Sequence, residues 1–448
     1  MTALRIAMTF LILIIGLLML TGGISLSQPQ LKLELSQVDA FVWALLGLLA
    51  IHRFLTGQWL HQPLQKYLDK ITSALSKRPA YTLSIASGIY IVLHVWILTW
   101  RYASLHTSAF DFGFVDQALW STTHYGFLHS SLSKGQTYLG EHFSPILALA
   151  GYVYIFTTSV VGVFFLQSVL LASGSVLAYW LARIKKVEPH TAILIALCVL
   201  LYQPLRLANS FDFREDNFFV PVFFSLLIAL ELKKFKAFWA LVAMSFCIKE
   251  NAPLFTALLG ISIASTASSW RSKKRAGLKH GIALTIVSCI ALIIINTKIT
   301  PYFAGGATQT MLAKRLGPSG FFNLELFQPF FQWKTLKYIL NVTLPFLAFV
   351  TAAPWIAAIA GIGICLNILL NPVTIGFHYE CVLIPFLFYI LICGAAKRAP
   401  QQALLIVSFL LFFGRSPVEA IRKYYPTERQ RLVTQKLLEI DDSVSIAA

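Results

Sequence analysis

The feature that most constrains this chain is its set of apolar runs close to the roughly 20 residues a helix needs to cross a bilayer. They recur along almost the whole length, for example over 160–184 and 279–297, and short polar or basic stretches separate them. Of the 448 residues, 57% are hydrophobic and only 12% charged, and the mean hydropathy is +0.71. A water-soluble domain with so few polar groups could not cover its own surface. The expected fold class is therefore an all-α polytopic membrane protein.

The formal charge of +17 suggests a polyanionic partner until its distribution is read. The basic residues gather in short loops: Arg53, Lys66, Lys70, Lys77 and Arg78; Arg183, Lys185 and Lys186; Lys233, Lys234 and Lys236; Arg271, Lys273, Lys274, Arg275 and Lys279; Lys397 and Arg398. That is the pattern of cytoplasmic loops under the positive-inside bias, and it argues against nucleic acid as a partner. The partner implied is the lipid bilayer itself, with placement in the plasma (inner) membrane. The six cysteines lie in or beside apolar runs without CxxC spacing, so they read as small buried residues. Arg5 and the apolar run behind it could open a signal peptide. TGGISLSQ lacks a small-residue cleavage site, and an uncleaved first helix is expected.

With the basic loops set inside, the spans thread as about 4–25 outward, 38–56 inward, a basic linker over 57–79, and 80–100 outward. The stretch 145–184 must hold an odd number of crossings, so 145–158 reads as an interfacial or re-entrant helix and 160–184 as the span. The alternation continues through about 190–207, 217–232, 236–250, 251–268, 279–297, 335–350, 351–370, 380–396 and 400–414. The total is about thirteen crossings, with a cytoplasmic N-terminus and an extracytoplasmic C-terminus. Residues 1–79 form two N-terminal helices plus linker, 80–414 the core, and 415–448 the start of an outer segment that reads as truncated. The outer loops are 101–144, 208–216, 298–334 and 371–380.

This threading was fixed by the basic residues alone, yet every cluster of acids and histidines falls on the outer side. The richest is 110–145, FDFGFVDQALWSTTHYGFLHSSLSKGQTYLGEHFSP. Phe112, Val115 and Leu119 share one helical side and Asp116 and Trp120 another, which suits a helix lying on the membrane with its apolar side to lipid. Asp111 and Asp116 read either as an N-cap and a solvated acid, or as candidate catalytic groups, with Asp111 a general base at the bilayer edge. Glu141 and His142 stand where the chain re-enters the membrane; they either cap the next helix or bind a metal or phosphate. Asp212, Arg214, Glu215 and Asp216, beside Arg206, suit an ion-pair network or half of a divalent-metal site, with Asp212 and Asp216 as ligands. Lys249 and Glu250 end an apolar helix and either snorkel or face a cavity. His378 opens the last acidic stretch, HYE, as a polar helix start or a substrate-binding group.

At these residues the chain resembles the domain of unknown function 2079 family of predicted polytopic membrane proteins. The matching pieces are FDFGFVDQALW, LGEHFSPILAL, the LARIKK helix end, ANSFDFRED and IKEN, in order over most of 80–400. That family is in turn similar to the GT-C glycosyltransferases, with a helical bundle and interfacial helices in the first large outer loop. The resemblance implies an enzyme that moves a sugar from a polyprenyl-phosphate donor to an acceptor on the outer face, with inversion. Asp111 falls at the loop acid, Glu141 at the acid before the next membrane-entering helix, and Asp212 at the second-loop acid. Catalytic roles then fall to Asp111, Glu141 and Asp116, and phosphate or substrate contacts to His142, Arg206, Arg214, Lys249, Glu250 and His378. Leaving-group charge would be met by a cation: Lys249, Arg214, Arg206, or a divalent Mg or Mn ion at Asp212 and Asp216. The chain departs from that pattern in FDFG, which replaces a DE-containing motif, and in IKEN, which replaces IKED. The competing readings are a transporter or flippase of a lipid-linked or anionic substrate, and a catalytically inactive partner subunit.

Overall fold

A computed structural model of the chain describes residues 2–21, 24–28, 31–35, 39–57, 62–268, 275–306, 324–370, 373–397 and 417–439. The expected span at 400–414, residues 307–323 of the expected outer loop 298–334, and residues 440–448 of the expected outer segment lie outside these residues.

The chain opens with α1 (Thr2–Thr21), a two-stranded antiparallel hairpin of β1 (Ile24–Gln28) and β2 (Leu31–Leu35), and α2 (Asp39–Thr56). The hairpin was not expected in a loop between two spans. Its Ile24-x-Leu26 and Leu31-x-Leu33-x-Leu35 alternation is the period-2 signal of a strand. An amphipathic α3 (Gln62–Ser76) leads to α4 (Pro79–Ala103), with Pro79 at the first helical position, where its missing N–H costs nothing. The loop beyond α4 carries a single π-helical turn (109–113), then α5 (Phe114–His124), α6 (Leu147–Gly151) and α7 (Val153–Phe156). The bundle continues with α8 (Val161–Ile184), α9 (Pro189–Leu201), α10 (Gln203–Ala208), α11 (Phe219–Glu231), α12 (Phe235–Phe246), α13 (Ala252–Ser268), α14 (Arg275–Ile294) and α15 (Thr300–Phe303). Last come α16 (Trp333–Thr343), a 3₁₀ stretch (344–352), α17 (Pro354–Leu370), α18 (Ile384–Lys397), α19 (Pro417–Lys423) and α20 (Glu428–Leu438).

Four helical stretches are long and apolar enough to cross a membrane: 79–103, 161–184, 277–303 and 333–352; eight further apolar helices are shorter. Among the described residues, four of the roughly thirteen expected spans therefore reach full membrane length. Prolines divide several expected spans. Pro204 follows the break between α9 and α10, and Pro345 opens the 3₁₀ stretch behind α16, because proline cannot donate into a helical ladder. One continuous apolar core joins Tyr90 of α4 to Ala395 of α18. α1 and α2 share a separate small core of Met8, Ile15, Leu18, Leu45 and Leu49.

The surface helix also lies differently from expectation. Phe112, Val115 and Leu119 are at most 2% exposed and join the protein core, so the apolar side of α5 faces α6 and not lipid. Gly151 makes that approach possible, since a Cβ there would stand 2.7 Å from the Leu119 carbonyl oxygen. A second close crossing joins α13 to α14, where Gly260 and Gly281 would each drive a Cβ into the other's carbonyl oxygen at 2.7 and 2.8 Å. Small residues let helix backbones meet this closely when lipid offers no hydrophobic push.

Because α11, α13 and α18 start at one end of the bundle and α10, α12 and α17 finish there, the intervening stretches 209–218, 247–251 and 373–383 converge. Glu215, Lys249 and His378 come together at this acidic end. The stretches around Lys185, Glu231 and Lys397 sit at the opposite, basic end.

Candidate functional site

The site is assembled by the turn 209–218, which two polar side chains in the first third of α8 hold in place. Gln167 Nε2 donates to the carbonyls of Ala208 (3.1 Å) and Phe211 (3.0 Å), and Ser168 bonds Asn209 at 3.2 Å. All three side chains are buried, where an unmet polar group would cost a few kcal/mol. The turn has little freedom as a result.

Three cations and four carboxylates then interlock. Arg101, at the end of α4, pairs with Asp212 at 3.0 Å, and the other Asp212 oxygen accepts the Ser108 N–H at 3.0 Å. The guanidinium also lies over the Phe211 ring, 4.9 Å from its centre. Arg214 stands 3.5 Å from both Asp111 and Glu215. Lys249 reaches Glu215 at 2.9 Å and Asp216 at 2.6 Å, and His378 Nε2 approaches Asp216 at 3.5 Å. The Tyr138 hydroxyl completes the shell around Glu215, donating at 2.9 Å.

Beside this network, Glu250 clamps the outer loop. One oxygen meets His142 Nδ1 at 2.9 Å, the other accepts the Phe143 N–H at 3.1 Å, and the Glu250 carbonyl takes the Asn296 amide at 3.3 Å.

Asp111 does not cap the helix. Ser108 does, accepting the Asp111 N–H at 3.2 Å, which leaves the Asp111 carboxylate free to turn toward Arg214. The π-turn at 109–113 contributes to that aim, and such turns favour functional positions. The Asp111 side chain is 38% exposed, whereas those of Glu215 and Asp212 are at 0%. Asp111 is the network's opening to solvent.

The carboxyls divide by environment. Burial pushes Glu215 upward, but Arg214 and Lys249 more than reverse that and hold it well below the usual range. Asp216, buried and next to the charged Glu215, is held up despite Lys249; two acids sharing one cation cannot both be fully stabilised. Burial likewise raises Asp212 against the pull of Arg101. Burial pushes Glu380, which has no cation beside it among the described residues, up to about 8. Burial and the nearby Lys249 and Arg214 keep His378 neutral by holding it far below its ordinary value.

The remaining sequence candidates lie apart. Asp116 accepts from the Tyr154 hydroxyl, tying α5 to α7, and burial pushes it up to about 6. Glu141 is exposed and makes no ion pair among the described residues. Arg206 is buried with its Nε on the Leu201 carbonyl at 3.0 Å. Asp212 and Asp216 do not fit a shared divalent ion. Each already faces a protein cation, and the described residues contain no group of three or more His, Cys, Asp or Glu arranged to hold a metal.

Sequence reading passed over Arg101 and Tyr138, and placed Glu215 in an ion-pair network without a catalytic or binding role. Arg101 carried a signal, since it ends an apolar helix on the side where the positive-inside bias disfavours a cation. Tyr138 carried none; one tyrosine in an aromatic-rich loop looks like any other.

A helical bundle with several membrane-length apolar helices, closed at one end by a buried ionic network, defines a multi-pass membrane protein. The chain belongs to the DUF2079 family of predicted membrane proteins, whose model matches residues 101–414. No curated protein and no solved structure matches it.

Proposed function

We propose that the acidic end is the active site of a membrane glycosyltransferase. It would take a sugar from a polyprenyl-phosphate donor and pass it, with inversion, to an acceptor hydroxyl on the extracytoplasmic face. The observation that carries this reading is the half-exposed Asp111 carboxylate set against Arg214, the outermost pair of an otherwise buried ionic network. That pairing places a base beside a cation, the two groups an inverting displacement needs.

In the proposed step Asp111 takes the acceptor's proton while the acceptor oxygen bonds to the anomeric carbon. The bond from that carbon to the phosphate oxygen breaks, its electron pair leaves with the polyprenyl phosphate, and the proton passes from Asp111 to water. Arg214 turns from Asp111 to the leaving phosphate as Asp111 becomes neutral. Its buried Nε has no hydrogen-bond partner among the described residues, so a donor is in reserve. Arg101 positions the 104–111 stretch through Asp212 and the Ser108 N–H. Positive charge comes from side chains, so turnover needs no added divalent ion. The basic loops orient the opposite end of the bundle toward the cytoplasm, and a lipid donor accounts for a site at helix ends.

The test is release of polyprenyl phosphate by the protein in nanodiscs with candidate donors, comparing wild type with Asp111→Asn and Arg214→Gln, with and without Mg²⁺ or EDTA. Donor binding kept but turnover lost in Asp111→Asn supports the base. Turnover abolished by EDTA would remove the side-chain account of leaving-group charge. Donor-dependent uptake into vesicles with no release of polyprenyl phosphate would replace the enzyme by a transporter. Donor binding without turnover or uptake in wild type would indicate an inactive partner subunit.

A further inference from the structure

At the basic end the helices leave a cavity of about 380 Å³ between α11, α13, α17 and α18. Leu227, Leu259 and Ile263 line its walls, while Lys185, Lys397, Trp355 and Tyr389 stand around it. The geometry points to a binding site for one anionic glycerophospholipid, with the phosphate at the two lysines and an acyl chain along the leucine and isoleucine wall.

Charge is the first argument. Lys185 pairs with Glu231 at 3.0 Å and lies 5.4 Å from the centre of the Tyr389 ring, so its charge is largely met within the protein. Lys397 is exposed and, among the described residues, donates one hydrogen bond, to the Ala352 carbonyl at 2.8 Å. An ammonium carries three donors, so two remain for a ligand. Two lysines against one glutamate leave a single positive charge, which one phosphodiester balances.

The walls supply the second argument. A free phosphate would satisfy the lysines and leave the apolar wall wet, whereas a lipid covers both. Trp355 is 48% exposed beside the lysines, and an amphipathic ring at that position suits headgroup depth. Location is the third argument. The stretches holding Arg183–Lys186 and Lys233–Lys236 share this end, and the positive-inside bias puts it at the cytoplasmic leaflet, where anionic lipids are concentrated. This site is independent of the acidic end and of what that end does.

The full chain, delipidated in detergent and titrated with phosphatidylglycerol, phosphatidylcholine or inorganic phosphate, is read by native mass spectrometry for bound lipid and by thermal unfolding for stabilisation. One phosphatidylglycerol is expected per chain, with no comparable retention of phosphatidylcholine and no stabilisation by inorganic phosphate. Lys397→Gln, which leaves the Lys185–Glu231 pair intact, is expected to weaken phosphatidylglycerol about fivefold, and addition of Lys185→Gln by about fivefold more. Undiminished phosphatidylglycerol in Lys397→Gln, equal retention of phosphatidylcholine, or inorganic phosphate stabilising as well as lipid would each overturn the assignment.

Discussion

The two ends of the bundle carry the same trio of side chains. At the acidic end Glu215 accepts from Tyr138 and from Lys249; at the basic end Glu231 accepts from Tyr389 and from Lys185. One glutamate lies just before α11 and the other is its last residue. Burial separates them. The Lys249 and Glu215 side chains are 9% and 0% exposed, against 24% and 21% for Lys185 and Glu231. The acidic end also adds Arg101, Arg214, Asp111, Asp212 and Asp216, so its charges are met by one another in place of water. Burying so many ions is costly and rarely improves stability over an apolar core. The basic end can be explained as an anchor; the acidic end requires a use for its cost.

The largest expected effect tests that contrast directly. Lys249→Ala leaves Glu215 and Asp216 buried without their shared cation and should cost about 3–5 kcal/mol. Lys185→Ala leaves Glu231 within reach of water and should cost about 1 kcal/mol or less. Thermal unfolding of both variants in the same lipid nanodiscs measures the ratio, and equal losses would erase the distinction between the ends.

How much of this contrast the sequence disclosed depends on the kind of signal. Helical class and membrane residence follow from apolar runs, which are local, and the basic loops brought Asp111, Asp212, Lys249 and His378 to one side before any coordinates. Pairing is not local. Arg214 could have served Asp212, Asp216 or a phosphate; only packing sets it between Asp111 and Glu215. The Phe112, Val115 and Leu119 side of α5 was misassigned to lipid because periodicity reports an apolar side but not what covers it. The breaks at Pro204 and Pro345 went unread because both prolines lie inside apolar runs of near-span length, 190–207 and 335–350.

Next in size is a contrast within the acidic end itself. Glu215 and Glu380 are both at most 1% exposed. Glu215 has two cations and is held low; Glu380 has none among the described residues and is pushed up to about 8 from 4.5. Folded Glu380 therefore binds more protons than the unfolded chain does between those values, and its contribution falls as pH rises through that window. Glu215 has the opposite sign: its contribution is present above its unfolded value and is lost as pH falls. Glu380→Gln should remove a decline on the order of 3–4 kcal/mol between pH 5 and 8. A stability profile identical to wild type over that range would mean that Glu380 stays charged.

The tyrosines give a smaller version of the same test. Tyr138→Phe removes a fully buried donor from an ionised carboxylate and should cost about 2 kcal/mol, while Tyr389→Phe acts on a partner within reach of water and should cost about 0.5 kcal/mol. Equal costs would place the difference between the ends outside these two hydrogen bonds.

The smallest effect on the fold is expected where the effect on function is largest. Asp111 is the most exposed carboxylate of the network, its backbone is fixed by Ser108, and Arg214 keeps Glu215 when Asp111 loses its charge. Asp111→Asn should therefore change stability by less than about 0.5 kcal/mol. If it is the base, turnover falls by a factor of about 100 or more, because the amide cannot take the acceptor's proton. Donor affinity should hold or rise as Arg214 is released toward the phosphate. A large stability loss in Asp111→Asn would instead make Asp111 a structural member of the network, and the acidic end would then differ from the basic end in burial alone.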